Sequence, residues 1–223
     1  MVMVTVVHDR EGIRVPGWVN SIDTFRRWLD EADLPAQTRV WWLCGEVWAD
    51  MSKEQIFSHV LVKTRITRNL DLLAVEEKLG LYLTDGVLLS NFEADISGNP
   101  DGMFLSVATL ESDRVRLLEG KEGGFVEIQG SPDMVLEILS DSSEHKDDVD
   151  LRRAYWRAGV REYWLVDARR SPLRFDILRR TARGYVRASR QGDWVRSAVF
   201  GRSFRLLVRP GLAGHPDYLL EAQ

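Results

Sequence analysis

Cysteine is nearly absent: Cys44 is the single one in 223 residues. One thiol excludes an internal disulfide framework and a cysteine-built zinc cluster, so a reducing cytoplasm is the expected compartment. Lysine is scarce too. Of 30 basic residues only five are lysines, at positions 53, 63, 78, 121 and 146, which narrows any chemistry that needs an ammonium group. The formal net charge is small, at -4, so there is no whole-molecule pull toward nucleic acid, although local basic surface is compatible with it. No run approaches 18 apolar residues, so no membrane span is expected. The opening "MVMVTVVHDREG" meets charge too soon for a signal peptide. Internal repeats, low-complexity tracts and long Pro/Gly/Ser linkers are missing as well. What remains is 44% hydrophobic and 29% charged, an ordinary globular composition with enough chain for a sizeable core.

The pattern along the chain predicts mixed elements. "SIDTFRRWLDEADLP" reads as a short helix, capped by Ser21, with Phe25, Trp28 and Leu29 on one face and Pro35 after its end. "RVWWLCGEVWADM" reads as a hairpin turning near Gly45. A capping box of Ser52 and Gln55 predicts a long helix whose stripe runs Ile66, Leu70, Leu73, with Val62 and His59 on the same side. The stretch 79–107 supplies two or three short strands, with turn signals at Asp85-Gly86 and Asn99-Pro100. Next, Met134 to Leu139 predicts a strand, Asp147 to Ala158 a helix with Leu151, Ala154, Tyr155 and Ala158 buried, and Glu162 to Asp167 a second strand. Gly159 stops the helix. That is a βαβ crossover with parallel strands, expected to be right-handed. After Pro172, "LRFDILRR", "GYVRASR" and "WVRSAVF" predict antiparallel hairpins with basic faces. The expected class is α/β: a mixed sheet flanked by helices, with an antiparallel hairpin extension. Residues 1–19 read as an N-terminal segment, 20–210 as a single domain and 211–223 as a tail.

One residue breaks the pattern. Glu137 lies inside an apolar strand, and an ionised carboxylate is costly to take out of water without a partner. Asp101, in "GNPDGMFLSV", precedes another apolar strand. Two carboxylates at strand ends in one cleft can share a hard divalent cation such as Mg²⁺, which prefers oxygen ligands. Such an ion can activate water and neutralise charge on a phosphate. Glu46 and His59 are further polar groups that could face that cleft. Each also has an ordinary reading: Asp101 as a turn acid, His59 as a structural histidine, Glu46 as a hairpin-flanking acid and the arginine-rich strands as a solvated face.

The stretches "CGEVWADMS", "NPDGMFL", "SPDMVLEILSDSS" and "YWRAGVREYWLVD", with "VRSAVFGRSFRL" near the end, resemble the Uma-type restriction endonuclease family of the PD-(D/E)XK, or restriction-endonuclease-like, superfamily. The likeness covers roughly residues 20–210. It implies a sheet core flanked by helices and a Mg²⁺- or Mn²⁺-dependent site that cleaves DNA. By position it makes Asp101 and Glu137 the metal-ligating acids, Glu46 an additional acid and His59 the family's helix histidine. The main-chain carbonyl of Ile138 would complete the metal site. Water would be oriented or deprotonated by His59 or Glu46. Cutting both strands needs two sites, which fits a homodimer.

The departure lies in the cation. The superfamily's lysine stands two residues after the second acid, where this chain has Leu139. Placing it on the following helix instead puts Asp147 on the family's aspartate and Leu151 in the lysine slot. Lys146 is the one lysine nearby. It lies about 140° from Leu151 around an ideal helix, and Arg152 faces away by about 100°. Lys146 is therefore the substitute cation this reading names. The alternative is a degenerate relative that keeps the fold as a nucleic-acid or protein-binding module, and a third option is hydrolysis of a smaller phosphodiester.

Overall fold

The computed structural model describes residues 13–34, 38–50 and 52–223. Pro35, expected just past the first helix, and most of the N-terminal segment lie outside them.

Helix α1 (Ile22–Glu31) starts where expected. Ser21 Oγ accepts from the Thr24 N–H and Thr24 Oγ1 accepts from the Ser21 N–H, a reciprocal cap. Its buried Ile22, Phe25 and Trp28 pack with Val40, Trp42 and Val47 of the first hairpin. That hairpin is β1 (Arg39–Leu43) and β2 (Glu46–Asp50). Cys44 and Gly45 join them, with φ of 50° and 91°. Two successive positive-φ residues suit the twist of a tight hairpin.

The long helix α2 (Val62–Glu76) is preceded by a wider π-helical stretch, Ile56–Leu61. The predicted capping box is not made. Ser52 Oγ instead bonds Ser142 Oγ, and Gln55 Oε1 accepts from Ser58. The buried face is His59, Val62, Lys63, Ile66, Leu70 and Ala74, with Leu73 only partly covered.

The next stretch holds four strands where two or three were expected: β3 (Gly80–Thr84), β4 (Leu88–Asn91), β5 (Ile96–Gly98) and β6 (Gly102–Ser106). The extra strand escapes a periodicity reading because β5 is only three residues long. Asn99, Pro100 and Asp101 then carry the chain from one sheet into the other. A short α3 (Val107–Leu110) leads to β7 (Val115–Glu119) and β8 (Phe125–Gly130).

β9 (Met134–Ile138) and β10 (Glu162–Asp167) are parallel, with Glu137 opposite Leu165, and every residue of both is buried. Between them the helix begins in π form at Lys146–Leu151 and continues as α4 (Arg152–Arg157). Leu151, Ala154, Tyr155 and Ala158 are buried as predicted, and Gly159 ends the helix at φ 80°. β11 (Arg174–Thr181) and β12 (Gly184–Arg187) complete this sheet.

The strands form three sheets rather than one. The first is ordered β2-β1-β5-β4-β8-β7 and the second β12-β11-β10-β9-β6-β3, each with one parallel pair. The third contains β13 (Arg190–Gln191), β14 (Trp194–Ser197), β15 (Arg202–Pro210) and β16 (Pro216–Ala222), all antiparallel. Residues 211–223, read from sequence as a tail, thus supply a strand paired along β15. Tyr218 and Leu220 of that strand join the core under α2. Among the described residues no helix is long and apolar enough to cross a membrane.

Candidate functional site

The two six-stranded sheets meet where the chain passes from β5 to β6. There the start of β6, the end of β9 and the two π-helical stretches enclose a cavity of about 920 Å³. Arg39, His59, Asp101, Glu137, Lys146 and Asp147 line it.

Asp101 is buried and surrounded by donors. The Ile138 N–H gives it a 2.8 Å hydrogen bond at Oδ2, and His59 Nε2 lies 3.4 Å from the same oxygen. Lys63 Nζ and Arg39 approach Oδ1 at 3.3 and 3.5 Å. Burial acts to raise this carboxyl, but His59, Lys63 and Arg39 together hold it well below the usual carboxylate range. Glu54 and Asp85 share these cations: Lys63 lies 3.2 Å from Glu54 and 2.8 Å from Asp85, and Arg39 pairs with both. Glu54 Oε2 also lies 3.4 Å from His59 Nδ1.

Glu137 faces the other side of the cluster. Tyr155 donates to its Oε1 at 2.7 Å. Burial pushes its carboxyl well above the usual range; Lys146 opposes that, and Asp147 and Asp101 add to it. Lys146 hydrogen-bonds Asp147 and stands 4.6 Å from the Trp41 ring. Burial works against its charge, yet Asp147 and Glu137 raise its pKa, so it stays an ammonium.

The structure therefore gathers five of the residues named from sequence, Asp101, Glu137, Ile138, His59 and Lys146, at one cavity. It does not bring Glu46 there. That side chain is exposed at the turn end of β2, and the hairpin's cavity acid is Asp50, four residues on. Period-two alternation explains the difference in part, since Glu46, Trp48 and Asp50 share a strand face but only its far end reaches the cavity. Leu139 and Leu151 are fully buried in the apolar core, so neither family lysine position can supply a cation. Lys146 enters the cavity because the helix opens in π form, not at the ideal 100° per residue.

Several participants were not read as site residues from sequence, among them Arg39, Glu54, Lys63 and Tyr155. Lys63 carried a readable signal, standing one helical turn after His59 on the same face. Tyr155 was read as core and is core, and its hydroxyl also serves the acid. Arg39 and Glu54 left no local trace, since they meet Asp101 only through the fold.

The donor set fits a hard divalent cation. It consists of carboxylate oxygens and one imidazole, and Glu137 is a buried acid short of positive charge. Glu54, His59 and Asp101 offer ligand atoms within 4.8 Å of one another. Two ligands of one Mg²⁺ lie at most about 4.2 Å apart, so a shift of a few tenths of an ångström would bring them into range. The carbonyl of Ile138 shares a strand edge with its N–H, the edge that faces Asp101.

A family model described as "Putative restriction endonuclease" (Uma2) matches residues 22–212. Among solved structures, the chain is similar to a protein of Anabaena variabilis described as a "putative nuclease belonging to DUF820". The TM-score is 0.59 at 14% identity, covering 81% of this chain and 90% of that one. At that identity the likeness concerns the fold. None of the curated proteins compared matches the chain.

Proposed function

The chain belongs to the Uma2 restriction-endonuclease family, and from that membership we propose that the cavity is the active site of a metal-dependent endonuclease acting on DNA phosphodiester bonds. The observation that carries the reading is the meeting of two buried acids, Asp101 just before β6 and Glu137 in β9, in the wall of a cavity of about 920 Å³.

Asp101, Glu137 and the Ile138 carbonyl would hold Mg²⁺ or Mn²⁺, which supplies an acidified water and charge neutralisation on the phosphate. His59 would take the attacking water's proton at Nδ1, which has no hydrogen bond and lies 3.4 Å from Glu54, while Asp101 faces its other nitrogen. Glu54 thus takes the part first assigned to Glu46. Lys146 sets its ammonium against the negative charge that builds on the phosphoryl oxygens, a contact worth about 10²–10³ in rate. Lys63 and Arg39 keep Asp101 ionised. A homodimer would pair two such sites for double-strand cleavage, and the lone free Cys44 suits a reducing cytoplasm.

The test is cleavage of supercoiled plasmid by the purified chain with EDTA, Mg²⁺ or Mn²⁺, beside Glu137→Ala and Asp101→Ala. Nicking that needs metal and is lost in both variants is the expected result. One observation favours a second reading, that of a cleavage-dead binding module: leucines buried in the core occupy both family lysine positions. DNA binding by a folded protein with no cleavage under any metal would select that module.

A further inference from the structure

Past the end of β9 the chain turns through residues 140–144 before it enters the π-helical stretch that carries Lys146 and Asp147. This loop separates two halves of the site, Glu137 on the strand and Lys146 on the helix. The Ser143 carbonyl accepts the Asp147 N–H at 2.8 Å, so a movement of the loop passes directly into the first helical turn.

One side chain from elsewhere in the chain grips the loop. Arg169 stands just after β10, and its side chain is only 7% exposed. Its Nη1 donates to the Ser140 carbonyl at 2.9 Å and to Asp141 at 3.1 Å. Its Nη2 donates to Glu144 at 2.9 Å and to Asp167 at 2.7 Å, and Nε donates to Asp167 at 2.9 Å. No donor of the guanidinium is left over. Asp141 and Glu144 are well exposed, so water screens their attraction to it. What fixes the geometry is the planar fork, which joins both acids to Asp167 at the end of β10.

On its other side the loop meets no cation. Ser52 bonds Ser142, Gln55 donates to Asp141, and Asp50 accepts from Ser142. Arg170 comes no nearer to Glu144 than 3.6 Å. Removing Arg169 therefore leaves three carboxylates facing one another, and their repulsion pushes the loop away from β10.

We infer that Arg169 is a positioning residue: by gathering Asp141, Glu144 and Asp167 on one guanidinium, it sets the place of Lys146 relative to Glu137. Arg169 does not line the larger cavity, so it acts through Lys146 and not on the phosphate. The inference rests on the nuclease reading of that cavity.

The test compares wild type, Arg169→Ala, Lys146→Met and the double variant by plasmid nicking in Mg²⁺ and by backbone hydrogen exchange. Arg169→Ala should slow nicking about 10²-fold, the cost of a misplaced group, with DNA affinity nearly unchanged. The double variant should be no slower than Lys146→Met, because both changes act on the same contact. Arg169→Lys should recover part of the rate, since the charge returns without the fork. Amides of residues 140–147 should exchange about tenfold faster in Arg169→Ala, while those of β9 stay protected. Should that variant fail to fold, Asp141→Ala with Glu144→Ala frees the loop from exposed positions and keeps the pair with Asp167, and the same results are expected. Slowing that adds to that of Lys146→Met, or unchanged exchange across 140–147, overturns the inference. A wild type that cuts under no metal counts against the nuclease reading, whereas unchanged exchange counts against Arg169 whether or not it cuts.

Discussion

The Tyr155 hydroxyl donates a 2.7 Å hydrogen bond to Glu137 Oε1 in a fully buried pair that joins the crossover helix to β9. This bond fixes the rotamer of the acid and leaves its second oxygen for the cavity. Tyr155→Phe keeps the ring in the core and removes only the donor. The expected result is Mn²⁺ binding weakened several-fold in calorimetry, with stability lowered by about 1–2 kcal/mol. Unchanged Mn²⁺ affinity would show that Tyr155 is packing alone.

Lys146 is the ammonium within reach of Glu137 and Asp147 at the cavity wall. Lys146→Met should lower the rate of plasmid nicking by about 10²–10³ while leaving DNA binding nearly intact. Lys146→Arg should restore part of that rate, because the charge returns in a different shape. Equal rates for all three proteins would remove Lys146 from the reaction.

Leu151 stands where relatives are expected to carry a lysine, and it is fully buried among apolar side chains. Leu151→Lys therefore forces an ammonium into the core. Chemical denaturation should show a loss of several kcal/mol and no gain in cleavage. A stable, faster variant would mean that the helix can turn this position toward the cavity.

Acid stability follows from two ion pairs, one partly exposed and one buried. Arg174 donates to Asp148 and Arg169 to Asp167, and these bonds hold both carboxyls below their ordinary pKa. A depressed folded pKa adds stability that is present above the unfolded value of about 4 and disappears as pH falls through the folded one. Urea denaturation of the wild type and Arg174→Ala should differ at pH 7 and converge as the pH falls through the depressed folded pKa of Asp148. A difference that persists at low pH would assign the effect to packing.

Much of this was legible in the sequence where the signal is local. The crossover from Met134 to Asp167 declares itself through two apolar strands, a four-residue helical stripe and Gly159 as a stop. Glu137 announces the site because an acid inside such a strand needs a reason. The division into separate sheets was not legible, since it depends on β5, three residues long, and on a three-residue passage at Asp101. Partners such as Arg39 and Glu54 stayed hidden because they meet Asp101 only across long stretches of chain. Glu46 was misplaced because a hairpin pattern gives the face of a residue but not which end of the strand reaches the cavity.

The most direct measurement is the position of Mn²⁺ by anomalous scattering from crystals grown with the ion. The account predicts one peak within bonding distance, about 2.2 Å, of both Asp101 and Glu137. A peak held by Glu54 and His59 away from Glu137, or no peak at saturating Mn²⁺, would contradict it.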